Sequence, residues 1–94
     1  MSSKINNESP FTEFEGKLRE MSIRKIAGVI RGDWREPYFG AVPYLSAFSH
    51  LNKITENYYF DSGESIVKYF LSNASTWRGE VARAVKKELK RRLK

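Results

Sequence analysis

The residues of this 94-residue sequence that could perform nucleophilic catalysis are a single histidine, His50, and the serines near it. Ser46 lies four positions before His50, so the two side chains share one face if the segment is helical, and Ser49 is the adjacent residue. A serine nucleophile also needs an acid that orients the histidine and donors for the oxyanion. No spacing in the sequence identifies either, so we expect no catalytic residues and predict that the protein is not an enzyme.

Residues that bind metal ions or nucleotide cofactors are similarly sparse. With no cysteine and one histidine, the chain lacks a zinc-binding set, and its carboxylates do not follow the spacing of a calcium loop. The six glycines form neither a phosphate-binding loop nor a dinucleotide-binding motif. We therefore expect no metal site and no cofactor.

The sequence also bears on the compartment. The absence of cysteine is compatible with a reducing environment. The first ten residues contain no apolar stretch typical of a secretory signal, and no apolar run approaches the ~20 residues that span a bilayer. We predict a cytoplasmic protein with no membrane partner.

Basic residues are concentrated at the C-terminal end of the chain. Residues 78–94 account for the whole formal net charge of +6. Such a face can bind nucleic-acid phosphates without sequence specificity, or it can be a solvated helix face whose cations interact favourably with the helix dipole. The candidates for nucleic-acid binding are Lys86, Lys87, Lys90, Arg91, Arg92 and Lys94.

Aromatic residues are concentrated in the segment 33–45, which reads DWREPYFGAVPYL. Aromatic side chains serve both at the margin of a core and as anchors of an interface. We expect Trp34, Phe39 and Phe48 to fill the space between helices that meet at an angle. The candidate protein-binding residues are Arg35, Glu36, Tyr38 and Tyr44.

These residues must be positioned by helices, because apolar residues recur at steps of three and four along most of the chain. The sequence predicts an all-α, compact single-domain bundle of four to five short helices, at about residues 10–21, 22–31, 41–55, 62–73 and 76–93. Residues 1–8 are polar and predicted to be a disordered tail, and residues 9–94 to be the helical domain.

Helix boundaries are predicted from capping chemistry. Ser9 with Pro10, Ser22, the Asp61–Glu64 pair, and Ser75 or Thr76 are expected to begin helices, and Gly32 to end one. The segment 58–60, YYF, is expected to be an extended connector, since a lone strand would have no partner.

Taken together, these patterns favour a small non-enzymatic helical module that binds a protein. The alternative is non-specific nucleic-acid binding through the basic C-terminal helix.

Overall fold

The structure, a computed structural model, describes residues 10–94. This part of the chain contains α1 (Pro10–Glu20), α2 (Ile23–Asp33), the 3-10 helix η1 (Phe39–Ala41), α3 (Val42–Phe48), strands β1 (Asn57–Tyr58) and β2 (Asp61–Ser62), α4 (Gly63–Ser72) and α5 (Glu80–Leu93). The predicted all-α fold is confirmed. The predicted tail at 1–8 and the cap at Ser9 lie outside the described residues.

Helix α2 shows one boundary that local chemistry predicts and one that it does not. The Ser22 hydroxyl accepts a hydrogen bond from the backbone N–H three residues later at 3.1 Å, which confirms the predicted cap. The predicted stop at Gly32 is wrong, because the helix continues through Asp33 and the N–H of Trp34 donates to the carbonyl of Ile30 at 2.7 Å. The Trp34 side chain then enters the core.

Helix α3 ends at Phe48, so the predicted helix over 41–55 is wrong in its second half. The chain turns tightly there, with Leu51 N–H donating to the Phe48 carbonyl. The carbonyls of Asn52 and Leu51 then accept the N–H groups of Ile23 and Arg24, at 3.0 and 2.8 Å. The segment thus satisfies donors that the first turn of α2 leaves free.

The segment after this turn forms a hairpin, so the expectation of an unpaired connector at 58–60 is also wrong. Asn57 pairs with Ser62 and Tyr58 with Asp61, in antiparallel register. Ser62, not the expected Asp61–Glu64 pair, caps α4, since its hydroxyl accepts the N–H of Ser65 at 3.0 Å.

Helix α5 begins later than predicted. Its N-cap is Gly79, at φ 112°, and neither Ser75 nor Thr76 caps it. Glycine fits this left-handed backbone because it lacks a Cβ atom. The later start leaves Trp77 outside the helix, where its side chain turns inward and is buried.

Aromatic rings at the centre of the core join the second half of the chain to α2. The rings of Trp34 and Trp77 stack at 5.6 Å, and Phe70 meets both edge-on. The Trp77 indole N–H donates to the Asp33 carboxylate at 2.8 Å, and Phe48 packs 5.1 Å from Phe70. Burial of Trp34 and Phe48 confirms two of the three predicted core aromatics.

Candidate interaction surfaces

Large apolar side chains are exposed where η1 and α3 lie against α4. Phe39 is 79% exposed, so its predicted place in the core is wrong. The other members are Tyr38, Val42 and Tyr69, each roughly half exposed, and the half-buried Tyr44. We call these five residues, Tyr38, Phe39, Val42, Tyr44 and Tyr69, the aromatic face.

Tyr38 is held by its contacts with Phe39 and with the backbone of η1. The rings of Tyr38 and Phe39 lie 4.8 Å apart. A Cβ atom on Gly40 would lie 2.6 Å from the Tyr38 ring and 2.7 Å from the Asn73 side-chain oxygen. Glycine therefore allows the Tyr38 ring and the Asn73 side chain to approach the backbone closely at this position.

Tyr44 and Tyr69 join the two helices of the face. Their rings stack at 5.6 Å with 29° between the planes. Helix α3, VPYLSAF, contains no charged residue, so nothing on it repels an apolar partner. Aromatic enrichment with charge depletion is typical of the centre of a protein–protein interface.

Two of the four predicted protein-binding residues, Tyr38 and Tyr44, belong to this face. Tyr38 belongs to it and is partly exposed, and Tyr44 is half covered by its stack with Tyr69. Arg35 and Glu36 are exposed, and neither forms an ion pair within residues 10–94.

The sequence interpretation missed Phe39, Val42 and Tyr69 as surface residues. One signal was available in α4, where apolar residues occur on several sides of the helix. The buried residues of this helix are only Gly63, Ile66, Val67 and Phe70. Its other aromatic residue, Tyr69, therefore lies at the surface.

A second candidate surface lies on α5, where the Glu88 carboxylate holds two of the predicted cations. Arg91 donates to both of its oxygens, at 3.0 and 2.7 Å, and Arg92 donates at 2.6 Å. Arg92 also donates to the Leu18 and Arg19 carbonyls at the end of α1. Burial raises the pKa of the Glu88 carboxyl, but the two arginines outweigh it, and its net shift is downward.

Lys86 is likewise engaged within the protein. Its ammonium donates to the Trp77 carbonyl at 2.7 Å and lies 6.0 Å from the centre of the indole ring. Burial lowers the pKa of the Lys86 ammonium, and the charges of Lys90 and Arg78 lower it further. Lys86, Arg91 and Arg92 therefore act first as structural residues.

The remaining predicted cations, Lys87, Lys90 and Lys94, are exposed and unpaired within the described part of the chain. With Arg83 they recur at steps of four, three and four, which places all four on one helix face. They border a groove of about 590 Å³ between α1 and α5, which Glu15 also lines. Leu18 and Ala84 lie beneath it but are buried, so its accessible apolar surface comes from the aliphatic parts of the charged side chains. We call it the basic groove.

The residues considered for catalysis make contacts with other parts of the protein. The His50 ring stacks on Tyr58 at 5.0 Å, and Ser49 accepts a hydrogen bond from Arg31 at 3.2 Å. Among the described residues, His50 forms no hydrogen bond with Ser46 or Ser49.

Residues 10–94 contain neither a membrane-spanning helix nor a metal-binding cluster. No helix there is long and apolar enough to cross a bilayer. No three or more histidine or acidic side chains in that range lie close enough together to hold a metal ion. Comparisons with protein-family models, curated proteins and solved structures found no match to this chain.

Proposed function

We propose that the protein is a non-enzymatic, cytoplasmic protein-interaction module and that it binds its partner through the aromatic face. The observation that carries the proposal is the exposure of Phe39 beside Tyr38, Val42 and Tyr69 on a helix pair with an uncharged α3. Side chains of this type are costly to leave in water and are common at interface centres.

The partner that fits this face is an apolar protein segment with few charges and with acceptors for hydroxyl groups. Phe39 and Val42 offer only apolar surface, whereas the three tyrosines each present a hydroxyl donor at the end of an apolar ring. Covering one such aromatic side chain contributes roughly 1.5–3 kcal/mol to binding. Arg35 and Glu36, at the edge, contribute less because they stay hydrated.

The test is selective capture of a protein partner from nuclease-treated lysate of the source cells. We expect the wild-type chain and the control variant Phe60→Ala to retain the same partner, since Phe60 is exposed outside the face. The double variant Phe39→Ala/Tyr69→Ala should lose it while unfolding at nearly the same temperature. Retention of the partner by the double variant would contradict the proposal, and so would a large loss of stability.

A second candidate function, non-specific nucleic-acid binding, is supported by the exposed stripe of Arg83, Lys87, Lys90 and Lys94. Binding by these side chains would release condensed counterions, so affinity would fall steeply with salt. Arg91, Arg92 and Lys86 would contribute less, because contacts within the protein already hold them.

Titration of labelled DNA and RNA at several salt concentrations tests this second function. The variant Lys87→Gln/Lys90→Gln should reduce the slope of log affinity against log salt by roughly 0.7–0.9 per lysine removed. Arg35→Gln, which removes an exposed cation beside the aromatic face, is the matched control and should leave the slope unchanged. Absence of binding at low salt would eliminate the second function.

A further inference from the structure

The tip of the β-hairpin presents two largely exposed aromatic side chains. Phe60 is fully exposed and Tyr59 is 82% exposed. They form the two-residue connection between Tyr58 and Asp61. Tight hairpin turns favour glycine, asparagine and aspartate, so two consecutive aromatic residues are unusual there.

The backbone conformation at the tip is unfavourable for one of these two residues, Tyr59. Tyr59 adopts φ 58°, in the left-handed region. That conformation is unfavourable for an L-residue with a side chain, and glycine avoids this penalty. The tip therefore carries an aromatic residue at a position where stability favours glycine.

The hairpin that carries the tip is firmly attached to the rest of the molecule. Tyr58 stacks on His50 at 5.0 Å, and its ring also contacts Tyr59 at 4.6 Å. The N–H of Gly63 donates to the Glu56 carbonyl at 2.6 Å and ties the hairpin to α4. A tip held in this way loses little conformational entropy on binding.

The charges around the tip differ in sign from those around the basic groove. Residues 56–64 contain three acidic residues, Glu56, Asp61 and Glu64, and no basic residue. The groove between α1 and α5 is lined mainly by cations of α5, with the acidic residue Glu15 on the α1 side. An aromatic tip with acidic flanks is thus complementary in charge to this basic groove, and the aliphatic parts of the groove's lysines and arginines can cover the aromatic ring.

We propose that the hairpin tip of one copy docks into the basic groove of a second copy. Phe60 enters the groove against the aliphatic parts of its lysine and arginine side chains, and Asp61 and its acidic neighbours face the lysines of α5. The aromatic face takes no part, so this self-association is independent of the proposed partner binding. A tip and a groove bury a small area, which makes the association weak and dependent on protein concentration.

The overall charge of the chain sets the conditions in which the association is measured. A formal net charge of +6 repels two copies at low ionic strength. At about 0.15 M salt the Debye length is ~8 Å, so long-range repulsion is screened while charges in contact still attract.

Sedimentation velocity of the full, nuclease-treated chain over a wide concentration range tests the proposal. We expect wild-type self-association that Phe60→Ala weakens roughly 10- to 100-fold, the loss expected for uncovering one aromatic side chain. Lys87→Glu/Lys90→Glu should weaken it similarly. Arg35→Glu, a charge reversal outside the groove, should not.

Mixing the two defective variants gives the most specific result. Phe60→Ala keeps its groove and Lys87→Glu/Lys90→Glu keeps its tip, so an equimolar mixture should form mixed dimers although each variant alone stays monomeric. A wild-type chain that remains monomeric would overturn the proposal, as would a mixture that does not associate. Association that Phe39→Ala/Tyr69→Ala abolishes but Phe60→Ala leaves intact would assign the interface to the aromatic face instead.

Discussion

Replacement of Gly63 by alanine should destabilise the fold, because a backbone oxygen occupies the position of the missing side chain. A Cβ atom at Gly63 would lie 2.6 Å from the Ile54 carbonyl oxygen and 2.9 Å from the Glu56 carbonyl oxygen. The Glu56 oxygen cannot move away freely, since it accepts the Gly63 N–H at 2.6 Å. Relief of the overlap therefore breaks this hydrogen bond or shifts the hairpin, and we expect a loss of about 2–3 kcal/mol.

The same substitution at Gly28 is the matched control, with the opposite sign. Gly28 lies inside α2, is exposed, and has open space where a Cβ atom would be. Alanine there should stabilise the protein by about 0.5–1 kcal/mol, since glycine loses more backbone entropy in a helix.

Urea unfolding followed by far-UV circular dichroism measures both effects as shifts of the midpoint at constant slope. The midpoint should fall for Gly63→Ala and rise for Gly28→Ala. A Gly63→Ala chain as stable as the wild type would refute the inference that the hairpin packs tightly against the start of α4.

Three further predictions concern buried polar contacts and the hairpin tip. The lowered pKa of Glu88 means that its contribution to stability is present above the carboxyl pKa of the unfolded chain and is lost as the pH falls through the folded value. Glu88→Gln should therefore cost about 1–3 kcal/mol at neutral pH and flatten the acid side of the stability profile; an unchanged profile would show that Arg92 does not depend on this carboxylate. Trp77→Phe removes the hydrogen bond to Asp33 and should lower the free energy of unfolding by about 1–2 kcal/mol, and a neutral effect in urea would contradict this contact. Tyr59→Gly should leave stability unchanged or raise it by up to about 1 kcal/mol, whereas a clear loss in thermal unfolding would show that the tip has a structural role.

The helices could be predicted from the sequence where apolar spacing and a local cap agree. Helix α2 satisfies both conditions, with a buried stripe after Ser22. The error over residues 49–55 arose because Leu51 and Ile54 continue the three-residue spacing of α3 although the chain has left the helix. The backbone carbonyls of this segment instead accept hydrogen bonds from the N–H groups of Ile23 and Arg24. Contacts of this kind, between residues far apart in the sequence, leave no local pattern.

The surface was predictable only in part for a similar reason. Trp34 and Phe39 are both aromatic residues of one connector, and no local property separates the buried ring from the exposed one. The difference arises from Trp77, which stacks on Trp34 after a separation of more than forty residues. On α5, contacts with α1 and with Trp77 likewise decide which cations are held within the protein and which are exposed.

Site-specific photo-crosslinking inside the source cells tests the central claim, that the aromatic face binds a protein partner. A photoreactive phenylalanine analogue replaces Phe39, and a control chain carries it at Lys25, an exposed position on α2. We predict a nuclease-resistant covalent adduct with a different protein from position 39 and none from position 25. Failure of position 39 to yield such an adduct, or equal yield from both positions, would contradict the account.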